Sequence, residues 1–173
     1  KTAYEISTRD WSSDVCSSDL IMLKAQVITY SFTNAGTVGQ NGPTQAQINA
    51  AYLTTNLNGS VTVLTGSLAG IQQFTIPVTG PYRIVAAGSP AGPGVGLVTY
   101  SNGCRGRIVQ GDVFLTAGTV LKILVGQRGS TAYTSTGGGG GSYVAPISNS
   151  CLIVGGGGGG YCSLLSSPTP SSD

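Results

Sequence analysis

Two uninterrupted glycine runs, Gly137–Gly141 (Gly137, Gly138, Gly139, Gly140 and Gly141) and Gly155–Gly160 (Gly155, Gly156, Gly157, Gly158, Gly159 and Gly160), constrain this chain more than any other feature. Glycine has no Cβ and loses more backbone freedom on ordering than any other residue. A pure run is therefore either left loose or packed where no side chain fits. Left loose, each run is a flexible linker. Packed, each is an extended helix of the polyproline-II type, which has no internal hydrogen bonds and must pair its N–H and C=O groups sideways. The runs abut SYVA and CLIV rather than the serine or charge usual in linkers, and a third segment, Gly88–Gly96 (GSPAGPGVG), has the composition to join the same array.

The rest of the chain reads as β. Gln26–Thr33, Val61–Thr65, Ile71–Ile76, Tyr82–Ala87, Gly96–Tyr100, Arg107–Thr116, Thr119–Val125 and Cys151–Val154 are short runs rich in β-branched and aromatic residues. Gly, Pro, Asn and Ser punctuate them at the spacing of a sandwich or barrel. Thr119, Leu121, Ile123 and Val125 share one face, with Lys122 on the other. Pro43–Leu53 is the one convincing helix, with Pro43 in its first turn and Ala46, Ala50 and Leu53, with Ile48 and Ala51 nearby, giving it an apolar side. The helices a parallel α/β fold needs between strands are missing, so the class is all-β. No stretch of 18 apolar residues is present, so this sequence encodes no membrane-spanning helix.

Residues 1–20 read unlike the remainder of the chain. DWSSDVCSSDL, Asp10–Leu20, resembles the translation of a common short-read sequencing adaptor, and KTAYEI, Lys1–Ile6, resembles its other end. The segment is set aside as non-natural, which leaves residues 21–160 as one glycine-rich domain. Residues 161–173 (YCSLLSSPTPSSD) read as a disordered or truncated tail. Beyond residue 20 the charges are Lys24, Arg83, Arg105, Arg107, Lys122 and Arg128 against Asp112 and Asp173, a net +4, with no His and no Glu. Ser–His–Asp and paired-carboxylate catalysis are thereby excluded. The cysteines lack zinc spacing, no GK[ST] closes a glycine run into a phosphate loop, and Asp112 reads as a turn residue. No catalytic residue, metal site or cofactor is expected, and the chain is read as a non-enzyme.

Three weaker signals remain. Cys151 and Cys162 flank the second glycine run; a bridge closing about 12 residues would contribute roughly 3 kcal/mol, and free or buried thiols are the alternative. Arg105, Arg107, Lys122 and Arg128 are either a small basic patch for polyanions or glycans or a solvated surface, and without interleaved aromatics they do not point to nucleic acid. Asn58-Gly59-Ser60 matches a glycosylation acceptor.

Tyr30–Tyr52 (YSFTNAG…NGPTQAQINAAY), Gly70–Gly88 (GIQQFTIPVTGPYRIVAAG), Gly111–Gly129 (GDVFLTAGTVLKILVGQRG) and GGGGGSYV followed by CLIVGGGGGG carry a resemblance. Together they resemble the glycine-rich extracellular domain of the anaplastic lymphoma kinase and leukocyte tyrosine kinase receptors. The resemblance implies a tumour-necrosis-factor-like jelly-roll sandwich with inserted polyglycine II helices, and a place outside the cell or at its surface. Two departures limit it. The receptors' paired cysteines fall on Ala35 and Ile48, and the acidic residues that meet basic ligands reduce to Asp112. No kinase motif is present. The function expected is an extracellular binding or adhesion module for a protein or glycan. A structural spacer or assembly domain of a surface protein or fibre, and a fragment of a receptor kinase ectodomain, are the alternatives. Exposed aromatics at Tyr82, Tyr100, Tyr133 and Tyr143 would favour the first.

Overall fold

A computed structural model of the chain describes residues 4–8, 27–38, 41–93, 104–130 and 136–160. Among the described residues, nine strands and one α-helix are arranged in this order: β1 (Tyr4–Thr8), β2 (Thr29–Phe32), α1 (Gln45–Tyr52), β3 (Val61–Val63), β4 (Gln72–Thr75), β5 (Gly80–Ala87), β6 (Ile108–Leu115), β7 (Val120–Leu124), β8 (Ser142–Pro146) and β9 (Ile153–Gly155). They form a four-stranded sheet, β2-β1-β5-β6, and a five-stranded sheet, β3-β4-β7-β8-β9. Every pairing is antiparallel. The all-β class expected from the sequence is the class observed.

Period-2 alternation fixes which way each strand faces. In β7, Leu121 and Ile123 are fully buried while Lys122 points outward. Phe32, Tyr82, Ile84 and Leu115 from the first sheet meet Val61, Phe74, Leu121, Ile123, Val144 and Ile153 from the second in one hydrophobic core. Phe32 makes an edge contact with Phe74, ring centroids 5.4 Å apart. Burial of this kind is worth about 25 cal/mol per Å² of apolar surface, and it is the main force holding the two sheets face to face.

The helix is displaced from its expected start. Thr44, not Pro43, ends the chain's approach: its side chain accepts from the Gln47 N–H while the Gln47 side chain accepts from the Thr44 N–H, a capping box. Pro43 therefore precedes the cap. The buried face is Ile48 and Tyr52, four residues apart, whereas Ala46, Ala50 and Leu53 do not reach the core. Helical phase decides this, because Ala46, Ala50 and Leu53 lie on the side of the helix opposite Ile48 and Tyr52, and bulky Leu53 is left exposed. Gln45 reaches sideways, with Nε2 donating to the Val61 carbonyl at 2.9 Å and Oε1 accepting from the Val63 N–H at 2.7 Å. That covers the free edge of β3, which would otherwise offer itself to another strand.

Two strands go beyond the sequence expectation. β8, SYVAP, lies at the exit of the first glycine run and pairs with both β7 and β9. β1 lies inside the four-stranded sheet, paired with β2 on one side and β5 on the other. The boundary expected at residue 21 thus divides the sequence but not the sheet. The strand expected at Gly96–Tyr100 falls outside the described residues.

A cleft floored by bare backbone

β5, β7 and β9 run out, and β6 and β8 run in, at one common end of the two sheets. The segments that extend them there are 88–92, 104–107, 126–130, 137–141 and 156–160. They hold one another by main-chain hydrogen bonds. The Gly137 and Gly140 N–H groups donate to the Ser130 and Gln127 carbonyls at 3.0 and 2.8 Å; those of Ser89 and Gly92 donate to the Gly140 and Gly137 carbonyls at 3.0 Å each. Gly88 and Ala91 donate to Arg107 and Cys104 at 2.9 Å each. On these three pairs of segments the bonds recur every third residue. A β-ladder repeats every second residue, whereas three residues per turn is the repeat of a polyproline-II-type helix. Gly139 donates to Gly158 at 2.7 Å and Gly158 to Ser89 at 2.9 Å, so the two glycine runs and the Gly88 segment share one bonded array.

Space, not backbone angle, demands glycine here. A Cβ on Gly139 would lie 2.0 Å from the Ser89 carbonyl oxygen, one on Gly157 2.0 Å from that of Gly139, and one on Gly158 1.9 Å from that of Cys104. No real Cβ approaches backbone so closely. Gly138 is less confined, with 3.2 Å to the Gly158 carbonyl oxygen, while Gly156 and Gly159 face open space.

One face of the array is the floor of a cleft of about 470 Å³, walled by Gly42, Leu124, Gln127, Arg128 and Tyr143. The Gln127 side chain crosses it, Nε2 donating to the Asn41 carbonyl at 2.5 Å. Gln127 Oε1 is buried and has no hydrogen-bond partner among the described residues. An unpartnered buried acceptor costs about 1–3 kcal/mol. Arg128 Nε makes a long 3.4 Å contact with the Ala91 carbonyl, and the Tyr143 ring lies over Gly141, where a Cβ would come 2.9 Å from its hydroxyl. The cleft therefore offers a guanidinium and an aromatic edge above a floor of peptide groups.

The residues singled out in the sequence fall in different places. Arg105 and Arg107 are exposed just before β6, Lys122 projects from β7 and bonds Asn149 Oδ1, and Arg128 alone lines the cleft. Cys104 and Cys151 carry free thiols at the surface, and Cys162, the partner expected for Cys151, lies outside the described residues. Asp112 is not a turn residue. It sits within β6 opposite Arg83 of β5 and accepts two hydrogen bonds from that guanidinium, both 2.7 Å. The pairing holds the Arg83 pKa above its usual value, chiefly through the hydrogen bond. Tyr82 is also not an exposed aromatic. It is buried, its hydroxyl donates to the Val78 carbonyl at 2.6 Å, and burial raises its pKa. Tyr143 is 44% exposed, and Tyr100 and Tyr133 lie outside the described residues. Sequence reasoning singled out Arg128 and Tyr143 but not the cleft they line, because its floor is main chain.

Among the described residues no group of three His, Cys, Asp or Glu could hold a metal ion, and no helix is long and apolar enough to cross a membrane. No family model matches the chain. The chain is similar to the leukocyte tyrosine kinase receptor of Mus musculus, 37% identical over 102 residues. That match covers 58% of this chain and spans 11% of the receptor's length.

Proposed function

We propose that residues 21–160 form an extracellular, non-catalytic binding module with a jelly-roll topology, its strand ends locked by polyglycine II helices at Gly137–Gly141 and Gly155–Gly160. Residues 1–20 are a foreign leader and residues 161–173 a tail in this reading. Its partner is a protein or glycan that enters the cleft over the array. The observation that carries the proposal is the cleft itself, where Arg128 and the exposed Tyr143 stand beside a floor of hydrogen-bonded main chain. A rigid floor lowers the ordering cost of binding.

The test probes the whole chain against arrayed glycans and arrayed secreted proteins, beside Arg128→Ala and Tyr143→Ala. Binding that both substitutions weaken supports the cleft. Binding indifferent to both would move the function elsewhere on the surface. Retention of an unchanged fold with no ligand on either array would favour a structural spacer.

A second reading, a fragment of a receptor tyrosine kinase ectodomain, is favoured by the similarity to the mouse receptor. Sequencing the gene on both sides of this segment decides it, since a membrane span and kinase either follow or do not.

A further inference from the structure

We propose that the slot between β2 and β5 is a binding site for an extended polypeptide strand, recognised by its main chain and filled here by β1. The slot has two walls. β1 pairs with β2 from Tyr4↔Phe32 to Ser7↔Thr29, and with β5 from Glu5↔Val85 to Thr8↔Tyr82. Glu5, Ile6 and Ser7 are paired on both sides at once. β2 joins the sheet through β1 alone, so an empty slot would leave both the Thr29–Phe32 and the Tyr82–Val85 edges with unmet donors and acceptors. Unpaired edges of this kind are templates for an incoming strand.

What fills the slot is informative. Tyr4–Thr8 belongs to the segment that reads as translated adaptor, a sequence with no history of fitting this site. Nor does a tight turn force the pairing, because residues 9–28 separate β1 from β2. A two-residue hairpin would dictate its own register, whereas a connection of this length only raises local concentration, to about the millimolar range. The slot thus selects extended backbone rather than particular side chains. Its ligand is a strand of at least five residues, antiparallel to both walls, without proline at the doubly paired positions, where every N–H is needed.

The experiment keeps the whole chain. A protease site is inserted between Asp10 and Leu20, the folded protein is cut, and the released strand is chased with a labelled peptide of residues 1–9, its Ile6→Pro version, and an unrelated Thr/Val-alternating peptide. The labelled peptide should exchange into the slot, and amides of 29–32 and 82–85 should become protected from hydrogen exchange as it saturates. The alternating peptide should bind within about tenfold of it, and the proline peptide about tenfold or more weakly. The intact chain carrying Ile6→Pro should lose protection at 29–32 while β7 keeps its own. If the cut chain excludes all three peptides, or protects both edges without any of them, because the edges close together or a second copy fills the gap, the proposal is overturned.

Discussion

Between the two sheets the interior is filled by side chains; at their common end, where residues 88–92, 126–130, 137–141 and 156–160 meet, it is filled by backbone. The first region tolerates exchange of one apolar residue for another of similar volume, because rotamers and neighbours adjust. The second has nothing to adjust. Its spacing is set by peptide groups bonded at 2.7–3.0 Å, as between Gly139 and Gly158 or Ser89 and Gly140. What the contrast teaches is that rigidity here comes from the absence of side chains, and that the same chain is forgiving in one place and intolerant in the other.

The sharpest way to break that contrast is Gly158→Ala. Its Cβ would meet the Cys104 carbonyl oxygen at 1.9 Å, and the oxygen belongs to backbone that is itself bonded to Ala91. We expect a loss of about 3 kcal/mol or more in denaturant unfolding, at the upper end of overpacking costs. A near-neutral result would mean the array is not packed in solution.

Next in size is Tyr52→Phe in the side-chain region. The Tyr52 hydroxyl donates to Gln72 Oε1 at 2.8 Å and accepts from the Thr33 N–H at 2.8 Å, and Gln72 is fully buried. Removing the hydroxyl leaves both groups unpaired and should cost about 1–3 kcal/mol. The same residue supplies a pH test. Desolvation by burial raises the Tyr52 pKa, so the folded state holds this proton more tightly than the unfolded chain. Its contribution is fully present below the unfolded value of about 10 and is lost as pH rises from there through the folded value. Denaturant midpoints should fall above about pH 10 in the parent protein, and less steeply in Tyr52→Phe.

Smaller is Thr44→Ala, which removes the capping box from α1 and should cost about 1 kcal/mol, read as a lower thermal midpoint with the sheets intact. Smallest, and opposite in sign, is Gly159→Ala. The neighbour of Gly158 faces open space, so the substitution should be neutral or stabilise by about 0.4–1 kcal/mol through the unfolded chain. Adjacent glycines responding in opposite directions would be hard to produce in a flexible linker.

The same contrast explains what is visible in the sequence. Side-chain packing leaves a periodic trace, so β4, β5 and β7 are legible from alternation, whereas β6, buried only at Leu115, is legible from its β-branched and aromatic content. The inward face of α1 is not legible, because Ala46, Ala50 and Leu53 offer one apolar side and Ile48 and Tyr52 another, and only the fold chooses between them. β8 escapes because five residues beside a glycine run carry too little pattern. Asp112 after Gly111 looks like a turn, since its partner Arg83 is 29 residues away and meets it only across the β5–β6 register. The array leaves a composition but no geometry: purity of glycine reports that side chains are excluded, not which backbone excludes them. β1 goes unread for another reason: YEIST has the aromatic and β-branched content of a strand, but residues 1–20 are set aside for their adaptor resemblance.

The glycine array also bears on how the molecule responds to temperature. Unfolding the sandwich hydrates apolar side chains, which raises the heat capacity by about 0.45 cal/K/mol per Å², whereas unfolding the array hydrates mainly amides, which lower it by about 0.26. Two halves of one domain thus pull the curvature of the stability profile in opposite senses. The glycine end flattens the dome that the hydrocarbon interior would trace alone, and warmth or cold shifts its bonding less than it shifts the packing beside it.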